Sequence, residues 1–463
     1  MTEQAEFEFS ATDGREADLL KNLISNADRV LIKKLSRNDR DWARYRNKHQ
    51  AGVYIPAEQR DGGFFPPLQT KKRPDPDQAE IRETFLPTYW PQVEGKEADK
   101  VSRIVHYTSK GPETHLTRVP KETFAWLSPA SFLVMGRTEL EGAKVYECLT
   151  IDSVDDEAEL LAELFDLPAD FLVGEFVPAE LHARKQEHVL DFVEQIINAW
   201  SAGDIDQFAT EHAVMPTTRR LAAMAREKFL KRYGLEKLNP FELPSPGDAL
   251  REISRSIEWD LFRVFQRRVR SVELVRIVLG DATRTIGPSE VIRRLVDRLP
   301  AIDALMLSAS QQRKSRAGYS YEHHIEAMLT GGGIPFEKQV VIEARNRPDF
   351  ILPSLDFVDS GRPEASTGLI LSAKTTLRER WKQVEREKGS RNLYLTTVDE
   401  NIAANAIEEM GSIGINLVIP ESLMGAKETE YSGHANVLTF GQFCTSVLRP
   451  GLDSWASPAS GHG

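Results

Sequence analysis

Two short motifs place an aspartate and a lysine at the ends of neighbouring predicted strands. Pro348-Asp349 precedes one apolar run, and Ser372-Ala373-Lys374 ends the next, so that Lys374 follows Asp349 by 25 residues. A carboxylate is an oxygen ligand of the kind that Mg²⁺ prefers. A lysine beside it can hold a phosphate or orient a water molecule, while the metal stabilises charge on the phosphate oxygens. The spacing is that of a metal-dependent phosphodiesterase, although an aspartate before a strand is also common in unrelated proteins.

Such a site usually needs a second acid, and the residues themselves leave its identity open. The commonest position for it, two residues before the lysine, holds Ser372. Glu387 lies on a predicted helix after the lysine, and Glu322 lies on an earlier predicted helix. Either carboxylate can reach a metal if its helix packs against the sheet. Taken alone, each is more typical of a solvated helix surface.

The strands that would carry these residues alternate with helices in the last third of the chain. Buried apolar runs predict strands, and amphipathic segments predict helices between them. The alternation of strand and helix is typical of an α/β domain. The predicted strands are 339–342, 350–352, 368–372, 392–396 and 415–420, and the predicted helices are 376–388 and 401–410.

The chain divides into two regions with different patterns. Before residue 178, short apolar runs broken by glycine and proline predict a mostly β domain, with residues 60–96 as loop. Residues 151–180 carry ten acidic side chains and no lysine or arginine, whereas residues 251–316 carry fourteen basic and eight acidic side chains. We therefore expect one domain at 1–178, ending in an acidic connector, and a locally basic one at 179–463.

The composition excludes several classes of protein. The chain has 463 residues, 41% hydrophobic and 28% charged, which is enough apolar material for large cores. The net charge of −11 excludes a general polycation but allows a local basic surface for DNA. The longest apolar runs are too short for a membrane span and the N-terminus is acidic, so we expect neither a membrane helix nor a signal peptide. Two cysteines favour the reducing cytoplasm and argue against a zinc module.

Three separate blocks resemble EcoRII-type type II restriction endonucleases of the PD-(D/E)XK superfamily, in both order and spacing. The blocks are 315–322, 347–350 and 373–384, and the resemblance covers about 310–420. Two further segments, 32–36 and 49–56, are similar to the DNA-binding pseudobarrel of the same enzymes. The resemblance implies a multidomain α/β protein. Its N-terminal domain would be a mostly β pseudobarrel that binds DNA, and its C-terminal domain an α/β/α restriction-endonuclease-like domain with a central mixed sheet.

The resemblance also implies roles for the acids and the lysine. Asp349 would be the central metal ligand and Lys374 the catalytic lysine. Glu387 would be the acid that has moved to the helix, as a second metal ligand, which accounts for Ser372. Glu322 would be a further catalytic acid. The implied reaction is Mg²⁺-dependent hydrolysis of a DNA phosphodiester that leaves a 5′-phosphate and a 3′-hydroxyl.

The triplet Arg378, Glu379 and Arg380 follows the lysine closely and has the chemistry to read G·C pairs. Arginine suits the O6 and N7 atoms of guanine, and glutamate accepts a hydrogen bond from the N4 of cytosine. In isolation such a triplet is typical of a solvated helix surface. The resemblance makes it the reader of adjacent C·C/G·G pairs and implies a CC-N-GG target. For the central pair, the aromatic residues of 259–265 could hold a flipped base, but their spacing favours a buried helix face.

A second group of candidate DNA-binding residues lies in the N-terminal domain. His49 and Tyr54 correspond to residues that face DNA in the family, whereas loop capping or packing would explain them equally well. Four more lie in a segment that corresponds less cleanly. They are Lys110, Glu113, His115 and Arg118. The resemblance implies a second DNA site there, which can make cleavage depend on binding more than one site.

These observations leave one leading hypothesis and two rivals. The leading one is a homodimeric, cytoplasmic, site-specific endonuclease of double-stranded DNA, because a palindromic target calls for a two-fold enzyme. A cell that carries it would also need a protecting DNA methyltransferase. One rival, a DNA-binding regulator with an inactive nuclease fold, is disfavoured because the acids and the lysine are all present. The other, a structure-specific repair nuclease, is disfavoured by the base-reading triplet.

Overall fold

The structure is a computed structural model, and its described residues form two compact units. The first unit comprises Met1–Lys185 and Lys427–Glu430, and the second comprises Gln186–Ala426 and Tyr431–Gly463. Each unit has its own sheet and its own apolar core, so the chain is the multidomain α/β protein that the sequence predicts. The described residues are 13–45, 52–71, 80–111, 113–140, 142–280, 286–339, 347–377, 381 and 391–456.

The first unit is built on a nine-stranded mixed sheet. Its strands are β1 (Arg29–Lys34), β2 (Val53–Ile55), β3 (Gln69–Thr70), β4 (Ile81–Tyr89), β5 (Asp99–Tyr107), β6 (Thr114–Thr117), β7 (Phe132–Leu140), β8 (Ala143–Ile151) and β9 (Val173–Phe176). They lie in the order β2-β6-β5-β4-β8-β7-β1-β9, with β3 beside β4. The pairings are antiparallel except that of β4 with β8. This curled, mostly antiparallel sheet agrees with the predicted mostly β domain.

Helices and short turns flank this sheet. They are α1 (Asp13–Asn26), α2 (Arg37–Arg44), α3 (Ala57–Asp61), α4 (Asp156–Phe165) and two 3₁₀ turns, Gly95–Glu97 and Thr108–Lys110. Helix α2 begins with a capping box in which Ser36 and Asp39 each accept a hydrogen bond from the other's backbone amide. Helix α5 (Pro178–Ala202) contains the change from the first unit to the second.

Strand β4 corrects the prediction that residues 60–96 form a loop. All nine of its residues pair with β5. Leu86, Thr88 and Trp90 are buried and alternate with exposed residues, which is the pattern of a strand with one covered face. Pro87 and the charged residues of this stretch obscure the alternation of buried and exposed positions in the sequence. They give the stretch a loop-like composition but do not prevent its pairing with β5.

The second unit contains a six-stranded mixed sheet. Its strands are β10 (Glu337–Lys338), β11 (Phe350–Leu352), β12 (Leu369–Ala373), β13 (Asn392–Thr396), β14 (Ile415–Ile419) and β15 (Val437–Thr439), and they lie in chain order. The first three strands pair antiparallel, and β12 to β15 pair parallel. The central mixed sheet and four of the five predicted strands are therefore confirmed. The fifth, 339–342, is wrong at Gln339, which follows β10 with a left-handed backbone, and its other residues lie outside the described ones.

Alternation along β12 shows how the sheet is covered. Leu369 and Leu371 belong to a core with Tyr321 and Ile325, whereas Ile370 belongs to a second core with Ile407. Successive side chains of a strand point to opposite faces, so helices cover both faces of the sheet. A strand covered on both faces must be apolar throughout, which is why β11 and β12 were visible in the sequence.

The helices of the second unit precede and connect these strands. They are α6 (Ile205–His212), α7 (Thr218–Tyr233), α8 (Pro246–Arg251), α9 (Glu258–Leu279), α10 (Pro288–Asp297), α11 (Leu299–Gly331), α12 (Leu355–Val358), α13 (Ala404–Ser412), α14 (Glu421–Met424), α15 (Phe440–Phe443) and α16 (Arg449–Trp455), with a 3₁₀ turn at Pro363–Thr367 and π-helical turns at Glu252–Ile257 and Cys444–Leu448. The predicted helix 401–410 is confirmed as α13. The predicted helix 376–388 lies mostly outside the described residues.

The apolar residues of α9 and α5 differ in exposure. In α9, Phe262 is buried and Trp259 stacks on it at 5.7 Å, which fits the core interpretation of this aromatic stretch. In α5, Ile196 is buried, whereas the adjacent Ile197 is exposed. Within the part of the chain that the structure describes, the helices are too short or too polar to cross a membrane.

Candidate active site

The sheet of the second unit brings Asp349 and Lys374 into contact. Asp349 directly precedes β11 and Lys374 directly follows β12, and the two strands pair antiparallel with Phe350 opposite Leu371. The start of one strand therefore lies beside the end of the other. The Oδ2 atom of Asp349 accepts hydrogen bonds from the Lys374 Nζ at 2.7 Å and from the Ala373 amide at 2.8 Å. Asp349 is buried, whereas a quarter of the Lys374 side chain is exposed and can meet a ligand.

Helix α11 places Glu322 beside this pair. The carboxyl group is buried, and its Oε2 atom accepts a hydrogen bond of 3.5 Å from the Gln339 side chain. Burial, and then the negative charge of Asp349, raise the pKa of Glu322 to about 7, while the positive charge of Lys374 opposes the change. The pKa shift shows that Glu322 lies within electrostatic reach of both predicted catalytic residues.

Thr396, at the end of β13, connects helix α11 to the lysine. Its hydroxyl lies 2.9 Å from the Tyr321 hydroxyl, and its carbonyl accepts a hydrogen bond of 3.0 Å from the Lys374 amide. Tyr321 immediately precedes Glu322. The same residue therefore fixes the backbone of the lysine and the turn of helix that carries the second acid.

A buried polar cluster holds α11 against α9. The Glu258 carboxylate accepts hydrogen bonds from the Ser320 hydroxyl and, at 2.5 Å, from the His324 ring. Burial lowers the pKa of His324, an effect that the bond to Glu258 opposes. Because Ser320 and His324 flank Glu322 in the sequence, this cluster fixes the rotation of α11 and with it the direction of the Glu322 side chain.

Gln339 is a site residue that the sequence did not reveal. Its amide donates a hydrogen bond of 3.2 Å to the Asp349 carbonyl, and its side chain reaches Glu322. Its φ of 53° is in the left-handed region, which is unusual for a residue other than glycine. The pattern of 339–342 predicted a strand, and nothing in it signalled a turn of the chain toward the two acids.

The two described carboxylates could hold a divalent cation. Both hydrogen bonds that the described residues make to the Asp349 carboxylate fall on Oδ2, which leaves Oδ1 for a cation. Burial, and then the charge of Asp349, raise the pKa of Glu322, and a cation at this position would favour its carboxylate form. Carboxylate oxygens are ligands for hard cations such as Mg²⁺. No group of three His, Cys, Asp or Glu side chains that could hold a metal occurs among the described residues, and the predicted ligand Glu387 lies outside them.

The segment after Lys374 is described as far as the predicted base-reading triplet. Leu377 is fully buried, and its amide donates a hydrogen bond of 2.7 Å to the Asp399 carboxylate. Trp381, on the other side of the triplet, is also buried. Arg378, Glu379 and Arg380 themselves lie outside the described residues.

The N-terminal candidates are divided among several positions of the first unit. Tyr54 on β2 is directly opposite His115 on β6, and their ring centroids are 6.1 Å apart. Glu113 and Arg118 are exposed, and the Arg118 guanidinium lies 5.3 Å from the Phe85 ring. Of the remaining two candidates, Lys110 is described only as the last residue of a 3₁₀ turn, and His49 lies outside the described residues.

Asp349 and Lys374 thus meet at neighbouring strand ends of a mixed sheet, with the buried Glu322 beside them, as the predicted phosphodiesterase site requires. Residues 285–444 match a family model described as the EcoRII C-terminal domain. Over 428 residues the chain is 24% identical to the type II restriction enzyme EcoRII of Escherichia coli, a match that covers 90% of this chain and 93% of that enzyme.

The chain is also similar to a second curated relative and to a solved structure. Over 225 residues the chain is 26% identical to the type II restriction enzyme SsoII of Shigella sonnei, covering 46% of this chain and 72% of that enzyme. A solved structure of metal-depleted Ecl18kI in complex with uncleaved DNA has a TM-score of 0.45 and 24% identity, and covers 57% of this chain and 88% of that one. The sequence matches support an EcoRII-type type II restriction endonuclease, which is a site-specific deoxyribonuclease.

Proposed function

We propose that this enzyme cuts double-stranded DNA at a CC-N-GG-type site, with Mg²⁺, and leaves 5′-phosphate and 3′-hydroxyl ends. The observation that carries the proposal is the contact of 2.7 Å between Lys374 and Asp349 beside the buried Glu322. Asp349, with Glu387, would hold the cation. When bound, the cation supplies positive charge where negative charge develops on the phosphate oxygens.

The chain's own residues supply the rest of the chemistry. The Lys374 ammonium, which is partly exposed, donates hydrogen bonds to a phosphate oxygen or to the attacking water. Asp349 keeps this ammonium in place, because its Oδ2 atom is itself fixed by the Ala373 amide. Glu322, with a pKa of about 7, can accept or release a proton near neutral pH. Arg378, Glu379 and Arg380 would read the G·C pairs in the major groove.

A homodimer is the assembly we propose, because each subunit would then cut one strand of a two-fold symmetric site. Helix α10 supports this assembly. It has no buried residue, although apolar side chains follow one face of it, and Ile292 and Val296 are each 61% exposed. Leu299 and Leu307 on α11 are also exposed. Such a strip of apolar surface is typical of a protein interface, and a second copy of the chain is the occupant we propose.

The first unit would bind a second DNA duplex. Tyr54 and His115 are adjacent on β2 and β6. A cleft of about 470 Å³ in the same unit is lined by four potentially cationic side chains and by Asp61, which pairs with one of them. They are Arg60, Arg82, His106 and Lys144. Basic side chains of this kind contact phosphates and hold a protein on DNA without reading the bases. Cleavage would then depend on the second site, and the enzyme would act in the cytoplasm beside a methyltransferase that protects the cell's own sites.

The test is cleavage of plasmid DNA by the variants Asp349→Ala and Lys374→Ala. We expect both to lose cleavage in Mg²⁺ by at least about 100-fold while they still bind the cognate duplex in Ca²⁺. The matched controls are Asp359→Ala and Arg391→Ala, which break an ion pair of 2.6 Å. Arg391 directly precedes β13, at the end of the strand away from Thr396 and Lys374, so both controls should leave cleavage unchanged.

Sequencing the ends of the products gives the site and the end chemistry. Cutting that persists in either active-site variant would reject the assigned residues. Binding without cutting by the unmodified enzyme would favour the inactive regulator, and cutting without sequence preference would favour the structure-specific nuclease.

A further inference from the structure

Asp399 is a buried carboxylate that lies behind the active site and has no assigned role. It is 2% exposed and follows β13 by three residues. Its Oδ2 atom accepts the 2.7 Å hydrogen bond from the Leu377 amide, and its Oδ1 atom accepts one of 3.0 Å from the Asn401 amide. The carboxylate therefore joins the segment after the catalytic lysine to the loop that follows β13.

Asp399 is itself held at its backbone. Its amide donates a hydrogen bond of 3.1 Å to the Thr397 hydroxyl, and its carbonyl accepts one of 2.5 Å from the fully buried Tyr431 hydroxyl. A side chain whose backbone is fixed on both sides holds its partner in one position. The Leu377 amide thus has a rigid acceptor.

This contact is the second of two that set the path of the chain from Lys374 to the triplet. The first is the hydrogen bond between the Lys374 amide and the Thr396 carbonyl. The two residues between Lys374 and Leu377 can adopt few conformations, because one end is fixed to the last residue of β13 and the other to the loop that follows it. Leu377 and Trp381 are buried in one apolar cluster on either side of the triplet. The hydrogen bond therefore fixes the backbone of Leu377, the last described residue before the triplet.

We propose that Asp399 is a positioning residue for base reading: by holding the Leu377 amide it fixes the start of the Arg378–Arg380 triplet relative to Lys374. The inference rests on the proposed function, since it assumes that this triplet reads the site. Base contacts depend on bidentate geometry, so a displaced triplet loses discrimination between sites more than it loses the ability to cut.

Glu421 offers a matched control in the same unit. Its carboxylate also accepts two backbone hydrogen bonds, of 2.9 Å from the Asp248 amide and 2.7 Å from the Gly441 amide. These amides belong to α8 and α15, and neither leads to the triplet. Loss of Glu421 should therefore destabilise the unit in the same way without displacing the triplet.

The experiment compares full-length Asp399→Ala, Asp399→Asn, Glu421→Ala and Glu421→Gln. The readouts are the melting temperature and the ratio of cleavage rates on a CC-N-GG duplex and on one with a single G·C pair changed. We expect Asp399→Ala to lower this ratio by roughly 10- to 100-fold. Asp399→Asn should lower it less, because its amide oxygen can still accept one of the two bonds. The Glu421 variants should melt at lower temperature with an unchanged ratio.

Two results would overturn the proposal. One is an unchanged ratio in both Asp399 variants, and the other is an equal fall of the ratio in the Glu421 variants. If Asp399→Ala fails to fold, Asp399→Asn alone decides. Arg378→Ala and Arg380→Ala separate the two levels of inference. A ratio that falls in these variants but not in the Asp399 variants rejects only the positioning role, whereas a ratio that none of them changes rejects base reading by the triplet as well.

Discussion

Each unit of the molecule contains a buried aspartate bound to a lysine, and the two pairs have opposite surroundings. In the first unit, the Lys33 Nζ lies 2.5 Å from the Asp39 Oδ2. In the second, the Lys374 Nζ lies 2.7 Å from the Asp349 Oδ2. The residue types and distances are nearly the same, so neither distinguishes a structural pair from the pair that we propose to be catalytic.

The difference lies in the remaining hydrogen bonds. The Asp39 carboxylate also accepts bonds from the Ser36 amide and hydroxyl on Oδ2 and from the Tyr54 amide on Oδ1. Both of its oxygens are used, and its lysine is 7% exposed. At Asp349 the described bonds fall on one oxygen, the lysine is 25% exposed, and a second acid is close enough to have its pKa raised.

A pair whose bonding capacity is used up within the chain holds the fold together. In the second pair, the described residues leave one carboxylate oxygen without a hydrogen bond and the ammonium is accessible, which suits a cation at the acid and an anion at the lysine. The surrounding bonds therefore give the better guide to function than the pair itself.

The largest effect we expect is the loss of stability in Asp39→Ala. This change leaves the Lys33 ammonium buried without its anion, at a cost of about 3–5 kcal/mol. Asp349→Ala should cost far less, because Lys374 can turn toward solvent and the repulsion with Glu322 disappears. Hydrogen exchange of peptides from β1 and α2 measures the first change locally, and that of peptides from β11 and β12 measures the second. Equal losses in the two variants would contradict the comparison.

The contact between Asp349 and Lys374 could be predicted from the sequence, whereas the contact between Lys33 and Asp39 could not. Asp349 and Lys374 could be predicted to meet, because β11 and β12 are continuous apolar runs and an antiparallel pairing brings their ends together. Asp39 lies in a run of alternating charges, 36–41, that resembles an exposed helix. Nothing local shows that this helix packs inward, because the contacts that bury it come from residues far away in the chain.

The same limit applies within the active site. Glu322 was one of two candidates for the second acid, and only the packing of α11 on the sheet decides that it is buried beside Asp349. Gln339 could not be predicted, because its left-handed backbone is imposed by its position between the two acids. Asp399 could have been suspected as a polar residue just after a buried strand, but its partner, the Leu377 amide, carries no mark in the sequence.

The second expected effect is a pH dependence of the stability of the second unit, which comes from Glu322. Its pKa of about 7 in the folded chain lies above its ordinary value of 4.5, so folding favours the protonated form. The stabilisation is complete below pH 4.5 and is lost as the pH rises through 7. In EDTA, we expect the wild type to lose up to about 3 kcal/mol between pH 5 and pH 8.5 relative to Glu322→Gln.

Urea unfolding of both proteins at the two pH values measures this difference. Mg²⁺ should reduce it, because a cation near Asp349 and Glu322 favours the carboxylate form. A difference between wild type and Glu322→Gln that stays constant with pH would mean that the two acids do not interact as the structure indicates.

The smallest effect concerns Tyr321, which joins the buried acid to the lysine through Thr396. Tyr321→Phe removes one hydrogen bond and leaves the buried Thr396 hydroxyl without that partner, at a cost of about 1–2 kcal/mol. Because Thr396 also accepts the Lys374 amide bond, we expect cleavage to slow by several fold as well. Tyr394→Phe is a change of the same kind on β13, the strand that carries Thr396. The Tyr394 ring packs against Phe443, and we expect this variant to leave cleavage unchanged. In the double variant Tyr321→Phe/Thr396→Val the two losses should be less than additive, whereas strict additivity would show that the hydroxyls act independently.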